Sequence, residues 1–221
     1  MQNLFNIKRT NNSMKIEVLD AAKSQEVIAK YIEVPETQII SSLKDLKIKA
    51  PLVMKILSPD AVHKTEFGGV LIVHRNEEIE SAFNELLSKA KNHKLKLKGI
   101  LVQKFIEGQQ LIIGLKKDAT FNHVILFGLG GVFAELLKDV SIRKCPITKE
   151  EAHGMIEELQ SRKLFEGFRN IKLNIERLKE DLVSISKIPQ KNKDILELDI
   201  NPYILNSKEG KAVDVRVVLE K

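Results

Sequence analysis

The stretch from Met54 to Val70, MKILSPDAVHKTEFGGV, constrains the fold of this chain more than any other. The first three residues of this stretch belong to an apolar run, residues 51–56, that has the composition of a buried strand. This run carries one charged residue, Lys55. Burying an unpaired ammonium group costs too much free energy unless an anion or a carboxylate lies beside it. The sequence therefore predicts a partner for Lys55, from a distant part of the chain or from a ligand.

The loop after this strand has residues suited to binding phosphate. It contains an imidazole, His63, a second ammonium group, Lys64, and the glycine pair Gly68 and Gly69. An imidazole can act as a nucleophile or a base, and glycines let the backbone approach a ligand closely. A strand with a lysine and a loop with a histidine also occur at ordinary surfaces, so the spacing alone leaves both interpretations open.

Length, charge and composition limit the classes of protein to consider. The chain has 221 residues, of which 43% are hydrophobic, and a net charge of +6. No apolar run approaches the roughly 20 residues that span a bilayer, and the amino end lacks the apolar core of a secretory signal. A single cysteine, Cys145, excludes an internal disulfide framework. We therefore expect a cytoplasmic protein that does not span a membrane.

Part of the net positive charge of the chain is concentrated in the lysine-rich run 89–98. This run has no interleaved aromatic residues, and only 5% of the chain is aromatic, so stacking platforms for single-stranded nucleic acid are scarce. Lysines near the carboxyl end of a helix also complement its dipole. We expect a small anionic ligand rather than a nucleic acid.

Hydrophobic spacing predicts a mixture of helices and strands without a strict β-α-β alternation. The first 14 residues are expected to form a loose terminal segment. Helices are predicted within 15–31 with a break near 23–24, after a cap at Asn76, over 149–159 with a Thr148–Glu151 capping box, and after a cap at Asn174. Strands are predicted to end at residue 40 and to run over 52–56, 69–74, 100–105, 111–115, 124–127, 195–200 and 212–219.

A second glycine-rich segment, FGLGG at 127–131, precedes a group of charged residues. The segment lacks the full spacing of a dinucleotide-binding fingerprint, so a tight turn between packed elements is favoured. Glu135, Asp139 and Arg143 follow at intervals of four and would form a salt-bridge ladder on a helix. Residues 140–142 have the composition of a strand start instead, which would leave Arg143 free to bind phosphate.

The carboxyl-terminal region contains a candidate metal site. Glu197, Asp199 and Asn201 alternate with apolar residues, so in a strand their side chains share one face. Asp214 lies on a later strand that can pair with this one. Carboxylate and amide oxygens suit Mg²⁺, which commonly takes one or two carboxylates together with substrate phosphate. The alternative is an ordinary solvated strand face.

Five segments together resemble a known family. They are VMKILSPDAVHKTEFGGV, VQKFIEG, FGLGGVFAELLKDVSIR, ELDINP and AVDVR, and they resemble the ATP-grasp beta subunit of ADP-forming acyl-CoA synthetases of the acetate–CoA ligase type. Their order and approximate spacing also match, over residues 24–217. The resemblance implies an α+β, ATP-grasp fold in which two lobes, here 15–105 and 106–221, grip a nucleotide between antiparallel sheets.

The resemblance also implies roles for individual residues. Contacts with nucleotide, through its phosphates or its adenine, are implied for Lys55, Lys64, Gly68, Gly69, Gln103, Phe105, Ile106, Glu135 and Arg143. Asn201 and Asp214 match positions that hold Mg²⁺. His63 matches a histidine that relays a phosphoryl group between the partner subunit and ADP, and Asp199 lies where an acid can orient the phosphorylated histidine.

The implied activity is the interconversion of acyl-CoA, ADP and phosphate with carboxylate, CoA and ATP, using ATP or ADP and Mg²⁺. A CoA-binding alpha subunit is the implied partner, because the sequence lacks a CoA-binding Rossmann domain. Two residues depart from the family pattern: Lys104 and Gln110 stand where glutamates are usual. A subunit similar to succinyl-CoA synthetase, another ATP-grasp ligase and a non-catalytic nucleotide-binding subunit remain alternatives.

Overall fold

The computed structural model describes residues 15–59, 68–131, 139–167 and 171–221. Eleven strands within these residues form two sheets in which neighbouring strands are antiparallel. The strands are β1 (Ile16–Val18), β2 (Thr37–Ile40), β3 (Leu52–Leu57), β4 (Val70–Val73), β5 (Gly99–Lys104), β6 (Gln109–Asp118), β7 (Asn122–Leu129), β8 (Val140–Lys144), β9 (Ile195–Leu205), β10 (Gly210–Ala212) and β11 (Val215–Glu220). The α-helices are α1 (Ala21–Ile28), α2 (Ile79–Asn92), α3 (Lys149–Glu157), α4 (Ile175–Ser186) and α5 (Ile188–Lys191).

The smaller sheet has the strand order β2-β5-β3-β4. Met54 and Ile56 of β3 pack with Phe83 and Leu86 of α2, so one face of the sheet is covered by this helix. Because side chains alternate along a strand, Lys55 points to the opposite face. Every residue of β3 is buried, which confirms the buried strand that the sequence predicts around Lys55.

The larger sheet has the order β1-β11-β9-β6-β7-β8, and β10 pairs with β9 beside this path. Its main core contains apolar residues of α3 and α4 together with alternate residues of the central strands, among them Leu115, Ile125 and Leu198. The opposite face carries the acidic residues of β9. The two faces of this sheet therefore have different chemistry.

The beginning of the described chain belongs to the larger sheet. Ile16 of β1 pairs with Glu220 of β11, and Ile28 of α1 is part of the main core. The helix predicted within 15–31 is present as α1, but the predicted break near 23–24 is wrong because α1 is continuous, and a strand precedes it. Asp20 caps α1 by accepting a hydrogen bond from Lys23 N at 3.0 Å. The division into lobes at residue 105 stays a prediction, and residues 1–14 lie outside the described residues.

Two predicted helix caps are confirmed. Thr148 accepts a hydrogen bond from the backbone of Glu151 in a capping box at α3, and Asn174 caps α4. The predicted cap at Asn76 is wrong, because its side chain accepts a hydrogen bond from Ala50 N at 3.0 Å. A short 3-10 helix, Asn76–Glu78, leads into α2 instead.

None of the helices in the described part of the chain is both long and apolar enough to cross a bilayer.

Candidate functional site

The partner that the sequence requires for Lys55 is a carboxylate from the larger sheet. Lys55 Nζ lies 3.7 Å from Asp214 Oδ2, and only 11% of the lysine side chain is exposed. Asp214 belongs to the segment between β10 and β11, so this pair joins the two sheets. A small cavity beside the pair is lined by Ala21, Gln25, Lys55, Leu101, Gln103, Val213, Asp214 and Val215.

Strand pairing explains why Lys55 faces this cavity. Lys55 is opposite Leu101 of β5, and opposed residues in an antiparallel pair share one face of the sheet. Gln103, two residues further along β5, lies on that face as well, while Val102 between them packs in the α2-covered core. The sheet therefore presents one cation and one amide to the larger sheet.

Gln103 is almost fully buried, with 1% exposed. Its Nε2 donates a hydrogen bond to Thr37 Oγ1 at 3.3 Å, but its Oε1 has no hydrogen-bond partner among the described residues. The resemblance implies that backbone groups of the hinge contact adenine, and it does not imply that the Gln103 side chain lines the cavity. Buried acceptors in native proteins nearly always accept a hydrogen bond, so this oxygen is a candidate contact for a donor group of a ligand.

The other predicted hinge residues, Phe105 and Ile106, follow directly after β5. Phe105 N donates to Pro51 O at 3.1 Å, and its ring lies edge-on to His74 at 6.0 Å between ring centroids. Lys104, which stands where the family usually has glutamate, donates a hydrogen bond from Nζ to Lys49 O at 3.1 Å. Its side chain thus contacts the backbone of the segment before β3. Nucleotide contacts by Phe105 and Ile106 stay predictions.

The acidic residues of β9 share one face, as their alternation predicts. Leu198 and Ile200 lie in the main core, so Glu197 and Asp199 project from the opposite face. Glu197 is not part of a solvated face, because it is only 3% exposed and forms an ion pair with Arg216 Nη1 at 2.7 Å. Its second oxygen, Oε2, has no hydrogen bond within the described residues.

Burial raises the pKa of Asp199 from the ordinary 3.8 to about 6. The negative charges of Glu197 and Asp214 contribute to this increase, and Arg216, which pairs with Asp199 across the two strands, acts in the opposite direction. Asp199 is thus close enough to Asp214 for their charges to interact. The structure therefore brings the predicted acid of β9 near Asp214, and Asp214 lines the cavity that contains Lys55.

The predicted metal residues, Asn201 and Asp214, are neighbours. Asn201 N donates to Asp214 O at 3.0 Å, which joins the end of the acidic face to the loop before β11. Over the described ranges, no group of three or more His, Cys, Asp or Glu residues has an arrangement that could hold a metal ion by itself. The donors present are oxygens, so they fit Mg²⁺ whose coordination a nucleotide phosphate completes.

Arg143 lies apart from this group. Arg143 of β8 is opposite Ile125 of β7, and Ile125 is opposite Leu115 of β6, so the three side chains lie on the same face of the sheet. Ile125 and Leu115 belong to the main core, whereas Asp199 lies on the other face. The guanidinium binds Glu158, and this hydrogen bond is the main cause that raises the arginine pKa. Arg143 is in a strand as predicted, but the structure does not bring it to Lys55, and its role with phosphate stays a prediction.

The charged ladder is absent over the residues that the structure describes. Asp139 is 5% exposed and accepts hydrogen bonds from Gln160 N at 2.7 Å and Ser161 N at 2.9 Å. This buried carboxylate therefore fixes the turn after α3, a role that its local sequence does not reveal. Glu135, also predicted to contact nucleotide, lies outside the described residues.

The glycines after β7 permit close approach of neighbouring backbone. A Cβ atom at Gly128 would lie 2.5 Å from Asp139 O, and one at Gly130 would lie 2.9 Å from the carbonyl carbon of Gln110. Gly130 N also donates to Gln110 O at 2.9 Å. These contacts agree with the tight packing that the sequence analysis favours for this segment.

The pair Gly68–Gly69 lies where the loop after β3 rejoins the smaller sheet. Gly69 O accepts a hydrogen bond from Ile56 N at 2.9 Å, and Gly68 has a left-handed φ of +70°. Gly68 O accepts from Lys89 Nζ at 2.9 Å. His63 and Lys64 lie outside the described residues, and the roles of all four loop residues with nucleotide stay predictions.

A buried polar group that supports β9 was missed by the sequence analysis. Tyr203 is fully buried and donates to Asp181 Oδ2 at 2.7 Å, and Arg177 Nε donates to the same oxygen at 3.0 Å. Burial raises the pKa of Asp181, while these two hydrogen bonds lower it. In the sequence, the one signal for this group was the spacing of four residues between Arg177 and Asp181, which lie on α4. Tyr203 lies on β9, two residues after Asn201, so the group anchors the strand that carries this predicted metal residue.

The chain is similar to known proteins along most of its length. The ATP-grasp domain family matches residues 11–219. The Pyrococcus furiosus protein named acetate–CoA ligase (ADP-forming) I subunit beta is 36% identical over 208 residues, which are 89% of this chain and 90% of that relative. The Archaeoglobus fulgidus acetate–CoA ligase (ADP-forming) I is 40% identical over 173 residues, and the match spans 76% of this chain but only 25% of that longer relative.

A solved structure has a closely similar fold. It is the acetyl-coenzyme A synthetase 1 of Ca. Korarchaeum cryptofilum, described as dinucleotide forming, in complex with coenzyme A and Ca-AMPCP. The two chains superpose with a TM-score of 0.86 and 37% identity, over 92% of this chain and 93% of that one. The similarity confirms the α+β, ATP-grasp fold with antiparallel sheets that the sequence predicts.

Proposed function

Because this chain belongs to the ATP-grasp family, in the branch of ADP-forming acetate–CoA ligase subunits, we propose that it is the nucleotide-binding beta subunit of an ADP-forming acyl-CoA synthetase. The reaction converts acyl-CoA, ADP and phosphate to carboxylate, CoA and ATP, and it is reversible. The observation that carries the proposal is the position of Lys55 of one sheet beside Asp214 of the other, next to the acidic face of β9. A cation and a carboxylate at one cavity, with a second carboxylate near by, suit a phosphate with its Mg²⁺ ion.

In this proposal Lys55 binds nucleotide phosphate oxygens and neutralises the charge that develops on them during transfer. Asn201 and Asp214 hold Mg²⁺, which when bound supplies further neutralisation of the phosphate oxygens. Lys55 and Asp214 pair with each other in the structure, so nucleotide and cation would replace one ion pair by two. The buried Lys55 ammonium group thus keeps an anionic partner in both states, as its desolvation requires.

His63 is proposed as the phosphoryl carrier. A neutral imidazole nitrogen attacks phosphorus, the bond from phosphorus to the donor histidine of the partner subunit breaks, and ADP then accepts the phosphoryl group from His63. Asp199 is proposed to orient the imidazole by accepting its N–H. These roles derive from the family resemblance, and His63 itself is outside the described residues.

The partner is proposed to be a CoA-binding alpha subunit, which would supply the acyl-CoA site and the first phosphohistidine. The Pyrococcus furiosus relative is named as a beta subunit, which supports a separate partner subunit. The Korarchaeum structure contains coenzyme A, which supports a partner that binds CoA. The match to one quarter of the longer Archaeoglobus protein fits a nucleotide-binding part joined to other parts. A cytoplasmic location is part of the proposal.

The test is ATP formation by the complex of this chain with its CoA-binding subunit, given a panel of acyl-CoAs, ADP, Mg²⁺ and phosphate. We expect ATP with at least one acyl-CoA, and a loss of about 100-fold or more for Lys55→Met, because one charged phosphate contact is removed. Lys91→Met, in the exposed part of α2, is the matched control and should keep full activity. No ATP with any acyl-CoA, beside an active reference enzyme, contradicts the proposal.

A separate variant tests the phosphoryl carrier. His63→Ala should abolish ATP formation while nucleotide binding, measured by calorimetry, is retained. If His63→Ala turns over at the rate of the unchanged complex, the relay through His63 is refuted, although the assignment to nucleotide binding survives.

A further inference from the structure

The unpartnered oxygen of Gln103 has a fixed direction. Thr37 Oγ1 accepts hydrogen bonds from Gln103 Nε2 at 3.3 Å and from Gln25 Nε2 at 2.8 Å. The Thr37 hydroxyl has a single proton, which it donates to Pro35 O at 2.8 Å. Since that proton is used, Thr37 Oγ1 can only accept, and the Gln103 amide must present its nitrogen to Thr37 and its oxygen away from it.

This arrangement leaves a buried acceptor without a donor. Gln103 is 1% exposed, its Oε1 has no hydrogen bond among the described residues, and its side chain lines the cavity beside Lys55 and Asp214. Leaving a buried acceptor unsatisfied is unfavourable, so native proteins rarely do so without a functional reason. The cavity has a volume of about 10 Å³, which admits one water-sized polar group.

We propose that Thr37, supported by Gln25, is a positioning residue for nucleotide selection. It fixes the Gln103 amide so that Oε1 accepts a hydrogen bond from a donor group of the nucleoside, either the exocyclic amino group of adenine or a ribose hydroxyl. The inference rests on the proposed function, since it takes a nucleotide as the ligand of this cavity. A nucleotide that presents an acceptor there, such as the carbonyl of hypoxanthine, would face a second acceptor and bind less well.

The Thr37→Val variant removes the hydroxyl and keeps the shape of the side chain. Without that acceptor the Gln103 amide can rotate and present its NH₂ group to the cavity, so the preference for a donor is lost. We expect the ratio of kcat/KM for ADP to kcat/KM for an analogue that lacks the donor to fall roughly tenfold. Thr37→Ser keeps the hydroxyl and should restore the ratio.

The assay uses the assembled complex with ADP, IDP and 2′-deoxy-ADP. A preference for ADP over IDP that Thr37→Val removes identifies the adenine amino group as the donor, and a preference over 2′-deoxy-ADP identifies the ribose. Gln25→Leu, on α1, provides a second variant in case Thr37→Val folds poorly, because it removes the other hydrogen bond to Thr37. We expect it to lower the same ratio about threefold.

Several results would overturn the inference. Unchanged ratios in both variants would mean that a water molecule alone satisfies Gln103. Equal losses for all three nucleotides, with a lower melting temperature, would mean that Thr37 only supports the fold. Failure of the unchanged complex to make ATP would contradict the proposed function instead, and is thereby distinguished from failure of this inference.

Discussion

Replacing Asp199 by asparagine should change how the stability of this protein depends on pH. Asp199 lies on the acidic face of β9, and burial raises its pKa to about 6 from 3.8. Below pH 3.8 the carboxyl is protonated in both the folded and the unfolded chain, so it has no effect on stability. As pH rises from 3.8 to 6, the unfolded chain ionises first, and the folded state loses stability until the pH passes the folded-state pKa.

The size of this effect follows from the two pKa values. One pH unit between them corresponds to about 1.4 kcal/mol, so the full cost above pH 6 is about 3 kcal/mol. At pH 5 about half of that cost is present. The free energy of unfolding of Asp199→Asn, relative to the unchanged protein, should therefore rise by about 1.4 kcal/mol between pH 5 and pH 8. Any constant difference in packing cancels in this comparison.

The measurement is urea denaturation at a series of pH values with a chelator present. Asp194→Asn, at an exposed aspartate, is the matched control and should follow the unchanged protein at every pH. Adding Mg²⁺ should flatten the pH dependence of the unchanged protein, because a nearby cation favours the ionised carboxylate. Parallel curves for Asp199→Asn and the unchanged protein from pH 5 to pH 8 would refute the reasoning.

Two further predictions concern stability. Gly210→Ala should destabilise the fold by about 2–3 kcal/mol in denaturant titrations, because the added Cβ would lie 1.8 Å from Tyr203 Oη. Gly154→Ala, in helix α3, should instead stabilise by about 0.5–1 kcal/mol, because the new methyl group would meet only Arg143 Nη2, at an ordinary contact distance of 3.9 Å. Equal effects of the two substitutions would contradict the close contact described at Gly210. Arg216→Met should cost about 3 kcal/mol, since it leaves the buried Glu197 carboxylate without its cation. Adding Glu197→Gln should recover most of that loss by thermal unfolding, whereas additive losses would mean that the pair is not coupled.

Local patterns predicted the parts of the fold that depend on local chemistry. The buried strand around Lys55 and the caps at Thr148 and Asn174 follow from hydrophobic runs and from side chains that bond within three residues. Asn76 resembles a cap equally well, but its side chain binds Ala50, which is far away in the sequence. A local pattern cannot distinguish a side chain that caps its own helix from one that holds a distant loop.

The candidate site was predicted only in part, because local patterns do not specify contacts between distant segments. The alternation of Glu197 and Asp199 gives their common face, and the cost of burying Lys55 requires a partner, but neither specifies that the partner is Asp214. The face on which Arg143 lies depends on the pairing of β8 with β7 and of β7 with β6, and the contacts of Gln103 depend on Thr37 of a separate strand. Such relations arise from register between distant segments, which the sequence does not encode locally.

The pairing of β1 with β11 has a consequence for the order in which the chain can fold during synthesis. The smaller sheet uses residues 37–104 alone, so its contacts are available before the rest of the chain has left the ribosome. The larger sheet is complete only when Glu220 can reach Ile16. Closing so long a loop is slow compared with local contacts. Until then the backbone N–H and C=O groups of a nascent β1 have no strand beside them, and this interval is the one in which a chaperone would act.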